Sequence, residues 1–134
     1  DSDPKDSDLV KFLKKSSGRF LWYENMLRQD VRADARYNNF QFMISPDGVG
    51  ASPPFHNSAL NVLMFGRKTW FLFEPSQAVH STKHVLAWHR DDYQQGDAYE
   101  CVQQAGDIIF VPDMWGHAVI SDAFSVGMAH LYNG

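Results

Sequence analysis

Polar and apolar positions divide the chain into an N-terminal stretch with helical spacing and a longer stretch of short strands. Asp1–Asp8 is polar and acidic and carries Pro4, which reads as a flexible leader. Ser7 caps a short helix with Asp8 in its first turn, Lys11, Lys14 and Lys15 toward its end, and Gly18 as its stop. Leu9, Val10, Phe12 and Leu13 form its apolar stripe. Phe20, Tyr23, Leu27 and Val31 recur at three- and four-residue steps and predict a second helix from Arg19 to Ala35. The pair occupies 9–39.

From residue 40 the period falls to two. Strands are expected at Phe40–Ile44, in two runs between Ala59 and Phe73, and at Tyr99–Val102, Ile108–Val111, His117–Ile120 and Ser125–Tyr132. Ser45-Pro46-Asp47-Gly48, Gln104-Ala105-Gly106-Asp107 and Asp122-Ala123 supply the turns. Gly66-Arg67, between the two apolar runs, fits a two-residue type II′ hairpin. Ser76–Gln95 is a polar, histidine-bearing insertion, helical or irregular, that carries Leu86 and Trp88. Short strands joined by Gly, Pro and Asp turns behind a helical pair predict one mainly β domain, a small antiparallel barrel or jelly roll.

Composition narrows what such a domain can do. With 134 residues, 44% hydrophobic and 14% aromatic, the chain can bury a core and is neither a disordered tail nor a low-complexity linker. Sixteen acids against twelve Lys and Arg give a net charge of −4, which argues against a nucleic-acid partner. No apolar run approaches a membrane span. Cys101 is the single cysteine, so neither an internal disulfide nor a Cys-rich zinc module is available; with no neighbouring base, a buried structural thiol is expected.

In the Gly66-Arg67 hairpin, Phe65 would oppose Lys68, Leu63 Trp70 and Asn61 Leu72, and all six would share one face. Lys68 is then either a buried cation in need of an anion or a side chain at the hairpin's open end that reaches water by its long stem. His56 follows the stiff Pro53-Pro54-Phe55, and His117 follows Pro112-Asp113-Met114-Trp115-Gly116. Two imidazoles suit divalent iron, although histidines this far apart are more often ordinary side chains than ligands. Trp70, Trp88, Trp115 and Trp22 read as core aromatics, with Trp115 also placed to wall a pocket beside His117.

Three segments resemble the jumonji-C (JmjC) domain of the cupin superfamily. GASPPFHNSALNVLMFGRKTWFLFEP is similar to the first metal motif and the strand pair whose Lys holds 2-oxoglutarate. AGDIIFVPDMWGHAV is similar to the Gly-Asp turn, the strand and the distal histidine, and LAWHRDDY followed by ECVQQAGD resembles the small JmjC-only branch that has an ER-lumenal member. The resemblance implies a cupin-type double-stranded β-helix over 40–134 behind the N-terminal helices. It further implies Fe(II) on His56 and His117, and 2-oxoglutarate on Lys68 with Asn61, a partial match, and Trp115 beside it. The implied activity is a dioxygenase that hydroxylates a protein substrate; the branch is the sole pointer to a compartment, the ER lumen.

One departure matters. The family pattern is His-x-Asp or His-x-Glu, whereas this chain reads His56-Asn57-Ser58, and the turn from His56 to Gly66 is shorter than the family's. The alternative is therefore an inactive pseudoenzyme that serves as a structural or interaction subunit of a larger assembly. Other residues carry less: His80 and His84 have helical i, i+4 spacing near His89, His130 is either a spare inward ligand or a core histidine, Asp107 is a turn residue, and Asp91-Asp92 is a solvated corner.

Overall fold

The computed structural model describes residues 39–53, 58–77 and 79–131. The expected leader and helical pair, Trp22 and His56 lie outside those residues.

Among the described residues, eight strands form two four-stranded antiparallel sheets: β1 (Asn39–Ser45), β2 (Gly50–Ala51), β3 (Ala59–Phe65), β4 (Arg67–Phe73), β5 (Tyr99–Gln104), β6 (Ile108–Val111), β7 (Gly116–Ser121) and β8 (Ser125–Leu131). The first sheet runs β1-β8-β3-β6 and the second β2-β7-β4-β5. Except for β4 and β5, successive strands change sheets, so each strand pairs with sequence-distant neighbours. This winding is the double-stranded β-helix. The expected strands are present, each within a residue or two of its forecast bounds.

The hairpin at Gly66-Arg67 is not. β3 pairs with β6 and β8, and β4 pairs with β5 and β7; β3 and β4 lie in different sheets. Gly66 turns a corner between the sheets at φ +95°, and a Cβ there would meet the Phe124 carbonyl oxygen and Ser125 Oγ, each at 2.4 Å. A positive-φ glycine serves a II′ turn and a tight corner equally well, so the local signal could not separate them. The pairing of β3 with β8 shifts register between Leu63 and Phe65, which turns Phe65 out to 61% exposure. Asn61, Leu63, Lys68, Trp70 and Leu72 do point to a common side, but from two sheets across a gap rather than from one shared face, and that side is the interior, which settles Lys68 as buried. Phe65 leaves that face.

Between the sheets, Ala59, Trp70, Ile109, Val111 and Val119 form one core cluster. A second lies on the outer face of the second sheet, where Phe71, Phe73, Ala118 and Ile120 pack against Val85 and Trp88 of helix α1 (Val85–Asp91). Trp88 sits edge-on to Phe71 and Phe73 at centroid distances of 5.7 and 5.9 Å. The His84 side chain caps α1 by accepting from the Leu86 amide, and His89 and Arg90 occupy its last turn, where the helix dipole favours positive charge. His84 thus precedes the helix rather than sharing a face of it with His80, and the i, i+4 pair does not form. Among the described residues no helix is long and apolar enough to cross a membrane.

Gly66→Ala should cost about 2–4 kcal/mol, the sum of a left-handed alanine and the clash with Phe124. A lowered urea midpoint at unchanged slope checks it.

Candidate functional site

The inner face of the second sheet is a ladder of three rows read across β5, β4 and β7. The innermost row is Gln103–Lys68–Ser121, the next Cys101–Trp70–Val119, and the third Tyr99–Leu72–His117. Directly paired residues point the same way, so all nine belong to one surface. Exposure grades along it. Gln103, Lys68 and Ser121 are 0%, 4% and 1% exposed, whereas Tyr99 is 59% exposed and Leu72 half-buried. The gap between the sheets is thus closed at Lys68 and opens along the β5 edge toward Tyr99.

A polar network spans the closed end. Trp70 Nε1 donates to Gln103 Oε1 at 2.8 Å, and Gln103 Nε2 donates to the Asn61 and Asp107 carbonyls at 3.0 and 3.2 Å. A longer contact, 3.4 Å, reaches Asn61 Oδ1. One amide therefore ties β5 of the second sheet to β3 and the β6 entry of the first, with its hydrogen-bonding groups used inside the protein. Lys68 is different: among the described residues no carboxylate pairs with it and no group accepts its protons. Burial alone pulls its pKa below the ordinary 10.5, because desolvation disfavours the ammonium.

At the open end, the Pro112–Trp115 turn closes with the Trp115 amide on the Pro112 carbonyl at 3.3 Å. It holds Met114 at φ +64°, a conformation that costs a bulky side chain about 1–2 kcal/mol. The turn delivers half-buried Trp115 to within 5.9 Å of the Tyr99 ring and starts β7 so that His117 faces inward. His117 is 5% exposed, and its ring lies 6.0 Å from Trp70. Beside this mouth is an open depression of about 230 Å³ lined by Leu72, Glu74, Asp97 and Tyr99; it is an outer vestibule, not the Lys68 end.

No family model matches the chain. It is 35% identical over 82 residues to JmjC domain-containing protein 8 of Homo sapiens, covering 55% of this chain and 31% of that protein. It is 29% identical over 150 residues to arginine-specific demethylase JMJ22 of Arabidopsis thaliana, covering 97% of this chain and 30% of that one. The fold matches YcfD, a ribosomal oxygenase from Escherichia coli solved in complex with cobalt and 2-oxoglutarate. The TM-score is 0.60 at 13% identity, over 90% of this chain and 29% of that one. The domain is JmjC-like in sequence and has the cupin fold. It is 2-oxoglutarate-oxygenase-like, and the chain spans about a third of the length of the curated relatives it matches.

Within this domain, Lys68, Asn61 and His117 lie on inward faces, and Trp115 stands at the mouth. Ser58 is 5% exposed, and no cluster of three metal-binding side chains occurs among the described residues. His130 is buried, but its register partner Leu60 alternates with Ala59 and Asn61, so it faces away from His117 and is no inward ligand. Cys101 is exposed rather than a buried thiol, because its row ends at the open β5 edge. Asp91 and Asp92 are solvated as expected and paired with Arg90 and Lys83. Sequence reasoning missed Gln103. Its only signal is its pairing with Lys68, which no local pattern encodes.

Two outcomes follow for the unliganded domain. The unfolded chain holds the Lys68 proton at pH values where the folded chain has lost it. The burial penalty is therefore complete below the lowered pKa and relieved as pH climbs toward 10.5. Lys68→Met should raise the melting temperature at neutral pH, and the advantage should shrink in alkaline buffer. Gln103→Ala should destabilise by about 1–3 kcal/mol, since it strands the Trp70 indole N–H in a dry interior; calorimetry reads both.

Proposed function

We propose that this domain is an Fe(II)- and 2-oxoglutarate-dependent protein hydroxylase of the JmjC type. The observation that carries the reading is Lys68, a cation 4% exposed between two sheets, with no anion among the described residues and on the same face as His117. An uncompensated buried charge is costly, and an incoming carboxylate would offset it. His117 and Ser121 lie on one face of β7, four residues or roughly 13 Å apart, so the Lys68 row is two rows inward of the histidine. Lys68 would hold the distal carboxylate of 2-oxoglutarate, Asn61 would flank it, and His117 would hold the metal together with His56. Trp70, Trp115 and Tyr99 would keep water from the reacting centre and leave the β5 edge open to a protein substrate.

These residues fit 2-oxoglutarate well and iron less well. Two neutral imidazoles suit Fe(II), but Ser58 stands where the JmjC pattern has a carboxylate, and a serine brings no negative charge to offset the metal's. Bound iron would supply the oxidising chemistry with oxygen and 2-oxoglutarate. Ser58 also favours a second reading: the same cup, without turnover, as an interaction subunit of a larger assembly.

With millimolar 2-oxoglutarate and Mn²⁺ the melting temperature should rise, and Lys68→Ala should abolish the shift. Saturation at a hundred times Kd adds about 2.7 kcal/mol. No shift in the wild type would remove the reading altogether. Succinate release separates the two alternatives. Turnover by the wild type supports the hydroxylase, whereas turnover that appears only in Ser58→Asp, with metal affinity raised tenfold or more, supports the subunit.

A further inference from the structure

The second sheet ends at β5, and among the described residues no strand pairs with its far side. A bare strand edge is a row of unpaired N–H and C=O groups, which proteins ordinarily blunt with a proline, a lysine, a bulge or a short strand. β2 has only two residues, and β6 has four and runs straight into Pro112. β5 has none of these devices: six residues, no Pro, Lys or Gly, and an unbroken register with β4. All of it but Gln103 is exposed, and it is the long edge that carries Tyr99 of the mouth.

The end of the strand shows which groups point outward. The Gln104 amide donates to Asp107 Oδ2 at 2.9 Å and its carbonyl accepts from the Asp107 amide at 3.0 Å, so the turn uses both rather than β4. Backbone direction alternates along an antiparallel strand, so Gln103, Cys101 and Tyr99 bond β4 while Val102 and Glu100 aim at the free edge. The Val102 carbonyl meets the Cys101 thiol of its own strand at 3.9 Å, a weak contact.

Charge selects the occupant. Residues 93–116 hold Asp97, Glu100, Asp107 and Asp113 and no Lys or Arg. Tyr93 donates its hydroxyl to Glu100 but leaves the carboxylate's charge in place. A second copy of the chain would bring the same acids against this edge and be repelled, whereas a basic segment would be drawn to it.

We propose that the free edge of β5 is a strand-addition site for an extended, lysine- or arginine-bearing segment of a partner protein, which becomes a fifth strand of the second sheet. The segment pairs antiparallel, with the outward groups of Glu100 and Val102 supplying the main-chain bonds. Residues directly opposite those two share the outer face, which puts a basic side chain against Glu100; the alternate residues join Tyr99 and Cys101 on the inner face beside the mouth. The site needs neither iron nor 2-oxoglutarate and is independent of the hydroxylase reading.

NMR titration of the full chain tests it with three probes: an alternating Lys-Val octapeptide, the same peptide N-methylated at its lysines, and an alternating Glu-Val octapeptide. The first should bind with Kd below about 1 mM and slow hydrogen exchange at the Glu100 and Val102 amides, and the other two should bind at least about tenfold more weakly. Val102→Pro should weaken the first peptide as much with little change in melting temperature, because the lost N–H faces outward. Equal binding of the methylated peptide would reduce the contact to charge alone and overturn the proposal, as would no binding of the first. Unfolding of Val102→Pro would show that its amide serves β4, and a wild-type dimer dissolved by Val102→Pro would assign the edge to a second copy; either overturns it. All of these outcomes leave the 2-oxoglutarate reading untouched.

Discussion

A lysine ammonium enclosed between two β-sheets, with no carboxylate from the described residues beside it, sets the terms for the rest of this domain. The charge is disfavoured where it lies: burial lowers the Lys68 pKa, and no Coulombic partner offsets the loss of water. The surroundings hold it there all the same. Gln103 of β5 flanks it on one side and Ser121 of β7 on the other, and the sheets close over it until 4% of the residue is exposed. Such an arrangement is a poor way to stabilise a fold and a good way to bind an anion, because the binding energy includes relief of a penalty already present in the empty protein.

The double-stranded β-helix makes that enclosure possible. Because successive strands cross between sheets, the two ends of the cup have different fates. The inner end is sealed by tight crossings: Gly66 passes against the Phe124 carbonyl, and Gln103 reaches from β5 to the backbone of Asn61 and Asp107. The outer end is left open, because the long segment between β4 and β5 carries α1 to the outer face of the second sheet rather than over the mouth. Charge is thus buried deep while Tyr99, Trp115 and His117 gather at the entrance.

The same geometry shows why the Lys68 end and the His117 end of the cup need not share a fate. Lys68 and His117 stand two rows apart on adjacent strands, and each is fixed by its own ladder pairing. Under the proposed reading, Ser58 in the place of a carboxylate would alter the charge balance of a metal end without disturbing the Lys68 row. A cup with an anion site and without a working metal corner would therefore be physically self-consistent.

The alternation of apolar residues, the Gly, Pro and Asp turns and the family-like segments were enough to read the β architecture and most strand bounds, while whether Lys68 is buried or reaches water stayed open. Those properties are local: a period of two fixes which side chains share a face, and turn chemistry fixes where a strand stops. Partner choice is not local. Gly66 reads as a hairpin in sequence and is a corner between sheets, because a positive φ permits both and only the pairing of β3 with β8 decides. Likewise Cys101 and Gln103 are two residues apart on one face of β5, and the first is exposed while the second is wholly buried. Their fates follow from where the opposite sheet ends, so the closed row of Gln103, Lys68 and Ser121 exists only once the two sheets are stacked.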